Sequence, residues 1–185
     1  MEEKKNILRI FEETKTAIEK KDIIKLKELS NQTIHTASIF QDPDNIAVAV
    51  IVYSLSKIIE RKYYEKTGYN RFYKGIVSAI DDSIIALKKN DKKKFKKSLE
   101  LVRKSINQLS GELKKYIQDV FRKASINKAS KIYEHGISME KTAKLLGISM
   151  WELANYAGQT GISNVHEGKT LNVISRIKLA EEMFE

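Results

Sequence analysis

Residues 137–156 have the spacing of a helix-turn-helix, an element with which many proteins read base edges in the DNA major groove. Ala143, four residues before Gly147, is small enough for two helices to cross closely, and the glycine can adopt the positive φ of a tight turn. Leu153 and Tyr156, six and nine residues beyond the glycine, would fill the wedge between the helices. The spacing therefore predicts binding to double-stranded DNA.

The second helix of this pair carries groups that can bind bases directly. Asn155 and Gln159 can each pair bidentately with adenine, and Glu152 can accept a hydrogen bond from a cytosine amino group. A serine at the start of the helix can contact a phosphate. The predicted DNA-binding residues are Ser149, Met150, Glu152, Asn155, Gln159 and Thr160. Trp151 is predicted instead to pack against the rest of the protein.

The same segment can also be interpreted as a structural corner, because short helix pairs with Ala and Gly at these positions occur without any DNA-binding role. Its second helix contains no Lys or Arg. Glu152 would repel the DNA backbone unless it binds a base. DNA binding is nevertheless the hypothesis that the spacing favours.

The positive charge of the chain lies outside this segment. The net charge is +10, yet residues 132–185 contain 5 Lys and Arg against 7 Asp and Glu, whereas residues 57–131 contain 21 against 8. Because contacts with phosphates dominate the affinity for nucleic acids, the helix-turn-helix would need cations from the middle of the chain. The candidates for phosphate contacts are Lys88, Lys89, Lys92, Lys93, Lys94, Lys96 and Lys97. A solvated helix junction explains these lysines equally well.

A second basic run, residues 61–74, interleaves Tyr with Arg and Lys. Such tyrosines can stack on single-stranded bases, which leaves RNA binding as a weaker hypothesis. More often they cap the end of a helical bundle with their hydroxyls in water, and we favour this interpretation.

Little in the chain is suited to catalysis or to binding a metal or cofactor. It has no Cys and three His, and it lacks glycine-rich phosphate loops and paired catalytic carboxylates. Asn31, His35 and Ser38 share one helix face, but no Arg stands near His35 as a helical-bundle nuclease of the HEPN type would require, so we expect a solvated face. We predict that the protein is not an enzyme and binds no cofactor or metal.

The sequence also bears on localisation. The N-terminus is charged, and the most apolar run, residues 46–55, is shorter than the about 20 residues that span a bilayer. The absence of Cys is typical of an intracellular protein. We expect a soluble, cytoplasmic protein without a membrane partner.

The elements that must position the candidate residues are helices. A single Pro, few Gly and a helical period along nearly the whole chain predict an all-α protein. Residues 1–110 are expected to form an antiparallel helical bundle, whose buried centre is an apolar helix that starts at Pro43 with Asp42 as its N-cap. Residues 111–185 are expected to form a helix-turn-helix domain with a C-terminal helix.

The segment between these units has an apolar residue at alternating steps of four and three, which is typical of a helix packed lengthwise against another. The pattern continues across Gly111, so residues 91–134 form either one long basic helix with a weak point or two helices. Its apolar seam could face the bundle or a second chain. Because one helix-turn-helix reads only a short half-site and the seam offers a pairing surface, we predict a homodimer.

Residues 132–161 resemble the helix-turn-helix of small prokaryotic antitoxins and related archaeal regulators. In those proteins a helix leads through a glycine, here Gly136, into a Ser-capped pair, and a Trp-Glu-Leu sequence, here residues 151–153, opens the second helix. The resemblance implies operator binding as a dimer, a role in transcriptional regulation, and a following segment that grips a toxin.

The last predicted helix could contact such a protein partner. Its candidate partner-binding residues are Leu171, Ile174, Ile177, Met183 and Phe184. Exposing a Met and a Phe at the end of a chain is costly, so this helix is expected to dock on another surface. This leaves a second hypothesis from a different class, a non-enzymatic protein-interaction adaptor in which the helix-turn-helix is only a corner and the C-terminal helix binds the partner.

Overall fold

The computed structural model describes residues 4–40 and 43–160, and within those ranges it contains helices and no strand. An all-α fold is thereby confirmed. The α-helices are α1 (Lys4–Glu19), α2 (Ile23–Phe40), α3 (Pro43–Glu60), α4 (Tyr69–Lys88), α5 (Lys92–Asn107), α6 (Gly111–Glu134), α7 (Met139–Leu146) and α8 (Met150–Thr160). A 3-10 turn, Tyr63–Glu65, lies between α3 and α4.

Local sequence signals explain where several helices begin and end. The carboxylate of Asp22 accepts a hydrogen bond from the backbone N–H of Lys25 at 2.9 Å and so caps α2. Asp91 caps α5 in the same way, accepting from the N–H of Lys94 at 2.8 Å. Pro43 occupies the first position of α3, as predicted, whereas its predicted cap, Asp42, lies outside the described residues.

α3 lies at the centre of the bundle. Its run of β-branched residues, 46–53, could be mistaken for a strand, but the structure confirms the predicted helix. Most of its side chains are buried, and it contacts α1, α2, α5 and α6. A helix that is apolar on all sides is stable in water only when neighbours cover it, which makes α3 the element around which the others pack.

Residues 91–134 form two helices, so the alternative of one long connecting helix is wrong. α5 ends at Asn107, and α6 begins at Gly111, whose φ of +59° suits a glycine. Most of the apolar seam that continues across the break is buried within the chain, although Tyr116 is 41% exposed. The buried side chains are Phe95, Val102, Ile106, Leu109, Leu113 and Val120. These side chains therefore cannot supply the pairing surface from which we predicted a homodimer, and the homodimer stays a prediction.

α6 connects the main core to the candidate DNA-binding segment. Leu113, Ile117 and Val120 in its first half belong to the main core. Ile132, near its end, packs in a second cluster with α2, α3 and the residue that leads into α7, Ile137. The segment 137–160 thus rests on the bundle through buried apolar contacts. The predicted division into residues 1–110 and 111–185 stays a prediction.

Two further expectations concern the predicted C-terminal helix and membrane-spanning segments. The predicted partner-binding residues Leu171, Ile174, Ile177, Met183 and Phe184 lie outside the described residues, as does the whole range 161–185. Among the described helices, none is both long and apolar enough to cross a bilayer.

Candidate nucleic-acid interface

The segment 137–156 folds into two short helices joined by a tight corner. Ser138 caps α7 by accepting a hydrogen bond from the N–H of Lys141 at 3.3 Å. Gly147 ends α7 in the left-handed conformation, with a φ of +65°. Ser149 then caps α8, because its hydroxyl accepts from the N–H of Glu152 at 3.2 Å. Each of these residues stands where its backbone or side chain is needed to reverse the chain.

A small apolar cluster holds the corner together. Ala129 of α6, Ala143 of α7 and Leu153 of α8 are buried against one another, and Leu146 and Ile148 pack beside them. The small alanines let the three helices approach closely, as predicted for Ala143. Tyr156 is half-buried, and its hydroxyl accepts a hydrogen bond from the side-chain amide of Asn127 at 3.0 Å. α8 is therefore fixed against α6.

Glu152 forms its polar contacts within the protein. One carboxylate oxygen accepts from the N–H of Ser149 at 3.0 Å and from its hydroxyl at 2.8 Å. The other accepts from Nε of Arg122 on α6 at 2.9 Å. The Ser149 backbone N–H, the Ser149 hydroxyl and Arg122 lower the pKa of Glu152 to about 2. The carboxylate is thus ionised at neutral pH, and Arg122 offsets its charge beside α8.

The outward face of α8 carries amides and apolar groups. Asn155, Gln159 and Thr160 are exposed, and 53% of Met150 is accessible to solvent. Trp151 is 74% exposed, so its prediction as a packing residue is wrong. At 100° per residue, a position two before the buried Leu153 points away from the core. That offset is visible in the sequence and could have identified Trp151 as an outward residue.

A basic groove runs along one side of α8. It has a volume of about 580 Å³, and α3, α6 and α8 form its walls. Asn155 and Gln159 line it from α8. The cations that line it are Lys57 of α3, Arg61 directly after α3, and Arg122 and Lys123 of α6, against the carboxylates of Asp119 and Glu152. All four belong to the basic block 57–131, so part of that block does lie alongside the candidate recognition helix.

The cations of the groove differ in their partners. Lys57 forms an ion pair with Glu60 at 2.7 Å, and Lys123 forms one with Asp119 at 2.9 Å. Arg61 is exposed and has no ion pair among the described residues. Exposed ion pairs of this kind contribute little, about 0–1 kcal/mol, so an incoming phosphate can replace them at small cost. The sequence did not single out these four residues from the other basic residues of the block.

The seven lysines predicted to contact phosphates lie elsewhere, at the junction of α4 and α5. All of them are exposed, and none lines the basic groove. Lys88 forms an ion pair with Glu12 of α1 at 2.8 Å. Phe95, in the middle of the run, is buried against Phe11. The structure therefore places these lysines on a solvated surface and does not bring them together with α8 at that groove.

The tyrosines of the run 61–74 contact one another and the bundle. Tyr63 stacks on Tyr116 of α6 with ring centroids 5.8 Å apart, and Tyr69 stacks on Tyr73 at the same distance. Tyr69 is buried. These contacts favour the interpretation that the tyrosines cap the bundle over the one in which they stack on single-stranded bases.

A buried amine joins α6 to the rest of the bundle. Lys128 has no solvent exposure, and its Nζ donates to Oδ1 of Asn31 at 3.1 Å and lies 4.1 Å from the ring centroid of Tyr53. Burial, and to a smaller extent Lys131, lowers the pKa of Lys128 to about 7. Asn31 and His35 are exposed as predicted, but both have partners in this region. Asn31 contacts Lys128 of α6, and His35 packs on the ring of His135, the residue after α6, with centroids 5.4 Å apart.

The two histidines in contact, His35 and His135, are of a residue type that can bind a metal ion. In the ranges 4–40 and 43–160, no group of three or more His, Asp or Glu side chains is arranged to hold a metal ion. The two histidine rings that touch are therefore not part of a larger ligand set there.

No family model, curated protein or solved structure matches the chain significantly. The resemblance of residues 132–161 to antitoxin-like regulators therefore stays a prediction. The ligand of α8 has to be inferred from its own exposed groups and from the charges beside it.

Proposed function

We propose that this protein binds double-stranded DNA, with α7 and α8 acting as a helix-turn-helix and α8 entering the major groove. The observation that carries this proposal is the position of the exposed amides of Asn155 and Gln159 along a groove whose other walls carry four cations. Amides can read base edges, and the adjacent cations can neutralise phosphates. A role as a transcriptional regulator that binds as a homodimer is part of the proposal.

The charge near α8 supports it. The helix itself has no Lys or Arg, and a free Glu152 would repel the DNA backbone. Arg122 offsets that carboxylate, while Arg61 and Lys123 lie on walls that would face a phosphate strand beside the helix. Because counterion release dominates DNA affinity, these cations rather than α8 would supply most of the binding free energy.

Replacing two of the groove cations is expected to weaken binding to every DNA sequence. The variant Arg61→Ala/Lys123→Ala should bind duplex DNA about tenfold more weakly at 150 mM salt, and the slope of log Kd against log salt should fall by about two. Fluorescence anisotropy with a pool of random duplexes at several salt concentrations measures both.

The matched control removes the same charge at the α4–α5 junction. Lys93→Ala/Lys94→Ala should change Kd by less than about threefold, because these exposed lysines do not line the basic groove. An equal loss of DNA affinity in both variants would mean that the lysines of the α4–α5 junction contribute as much as the groove cations, which would contradict the assignment of the phosphate contacts to the groove. No binding of the wild-type protein to any duplex would refute the proposed function.

Removing an amide from α8 is expected to change sequence preference rather than general affinity. Asn155→Ala should relax discrimination at one base position, worth about 1–3 kcal/mol, while its affinity for random DNA stays close to that of the wild type. Selection of bound fragments from random duplexes, with both proteins in parallel, measures this. An unchanged preference in Asn155→Ala and in Gln159→Ala would exclude α8 as the reading element.

The adaptor hypothesis keeps one observation in its favour, which is the exposure of Met150 and Trp151. Large exposed apolar side chains are enriched in protein interfaces. An adaptor would not bind duplex DNA at physiological salt. It would co-purify with a protein partner, and deletion of residues 171–185 would abolish that interaction. The DNA-binding measurement therefore separates the two hypotheses.

A further inference from the structure

The exposed side chains of α8 form a chemically restricted set. They are Met150, Trp151, Ala154, Asn155, Gln159 and Thr160, with Gly158 among them. Thr160 donates its hydroxyl hydrogen to the carbonyl of Tyr156 at 2.8 Å. The groups left to face a ligand are two amides and the apolar surfaces of a Met, a Trp and an Ala.

Two of the four bases have no good partner in this set. Guanine is usually read by the paired donors of Arg or by Lys, and α8 has neither. The cytosine amino group is read by a carboxylate, and the one carboxylate of α8, on Glu152, already accepts from Ser149 and Arg122. The structure thus removes Glu152 from the set of readers that its residue type alone suggested.

The other two bases match the set well. A side-chain amide pairs bidentately with N6 and N7 of adenine, and an apolar side chain contacts the 5-methyl group of thymine. We infer that α8 reads A·T base pairs in the major groove, an inference that rests on the DNA-binding function proposed above. Asn155 and Gln159 bind adenines, and Met150 and Trp151 contact thymine methyl groups.

The spacing along α8 suits base pairs at alternate positions. Trp151, Asn155 and Gln159 follow one another at intervals of four residues, which is about 6 Å along a helix axis. Bases on one DNA strand are about 3.4 Å apart along the duplex. A helix lying along the groove would therefore place successive contacts about two base pairs apart, and the recognised half-site should hold A·T pairs at alternate positions.

The test begins with selection of bound duplexes from a random pool by the full chain. Enriched A·T pairs are expected. In the best duplex, thymine is then replaced by uracil, which lacks only the 5-methyl group, and adenine by 7-deazaadenine, which lacks N7. Each lost methyl contact should raise Kd about three- to fivefold, and each lost N7 contact about tenfold or more.

Variants assign the two effects to side chains. The uracil effect should disappear in Met150→Ala/Trp151→Ala, and the 7-deazaadenine effect should shrink in Asn155→Ala/Gln159→Ala. Ile24→Ala, which truncates an exposed apolar residue on α2, is the control and should keep both effects. Since the replaced side chains are exposed, circular dichroism should report the same folded protein in each case.

The outcomes separate the two levels of the proposal. Enrichment of G·C pairs, or equal uracil effects in the wild type and in Met150→Ala/Trp151→Ala, would overturn the A·T inference while leaving DNA binding in place. Absence of binding to every duplex in the pool would instead overturn the function on which the inference rests.

Discussion

Lys128→Met is expected to be more stable than the wild-type protein at pH 7, by about 1–3 kcal/mol in the free energy of unfolding. The wild-type amine has no solvent exposure and has no carboxylate partner in the described part of the chain. Burying a cation without a counterion costs free energy that a hydrogen bond to Asn31 and contact with the Tyr53 ring offset only in part. A methionine fills similar space without that cost.

The gain should depend on pH. A lysine titrates near 10.5 in the unfolded chain, whereas burial lowers the pKa of Lys128 to about 7 in the folded protein. Between those values the unfolded state binds more protons, so the stability of the wild type rises with pH across this window. The advantage of Lys128→Met should therefore shrink by about 2 kcal/mol from pH 7 to pH 9. Below about pH 6, where the amine is protonated in both states, it should be constant with respect to this group.

Urea unfolding of both proteins at pH 6, 7, 8 and 9 measures the effect, and the difference between them cancels groups that titrate equally in each. Lys115→Met is the matched control, because Lys115 is an exposed lysine of the same helix. It should change stability by less than about 0.5 kcal/mol at every pH. A wild-type protein that loses stability from pH 7 to pH 9 relative to Lys128→Met would contradict the assignment of Lys128 as a buried amine with a lowered pKa.

Features that depend on neighbouring residues in the chain could be predicted. Asp22 caps a helix because its side chain reaches an N–H three residues ahead, and Pro43 starts one because its ring already has a helical φ. The corner at Gly147 follows from the same kind of local chemistry. For these reasons the all-α class and most helix positions agree with expectation.

Features that depend on packing between residues distant in the chain could not be predicted from the sequence. An apolar seam with one register continues across Gly111 whether the chain reverses there or not, so the sequence is compatible with one helix or with two. Lys128 is one lysine among many, and only the approach of Asn31 and Tyr53 from other helices buries it. Arg61 and Lys123 are 62 residues apart in the chain, and the packing of α3 against α6 brings them to one groove.

The candidate site contains both a feature set by neighbouring residues and one set by packing between distant residues. The order Ser149 to Glu152 already has the form of a capping box, so the engagement of the carboxylate with Ser149 is a local property. Its second partner, Arg122, is 30 residues away and had no sequence signal. Residue types therefore indicated which groups α8 carries, while the structure decided which of them remain accessible to a ligand.

Leu153→Ala is expected to destabilise the protein by about 2–5 kcal/mol and to abolish DNA binding with it. Leu153 has no solvent exposure, and its neighbours in the cluster include Ala129 and Ala143, whose side chains are too short to fill the space it would leave. The cavity would lie between α6, α7 and α8, the contact that holds the outward face of α8 in position. Urea unfolding and anisotropy at 25 °C measure the two effects.

Two comparisons make this result specific to the corner. Leu153→Met keeps the volume of the side chain and should cost less than about 1.5 kcal/mol while binding is retained. Leu26→Ala makes the same truncation at a fully buried position of the main core, so it should destabilise the protein similarly but leave binding intact at temperatures where the protein stays folded. If Leu153→Ala binds DNA as tightly as the wild type, the outward face of α8 cannot be the surface that DNA contacts. The cluster that orients this face would then have been disrupted without any change in DNA affinity.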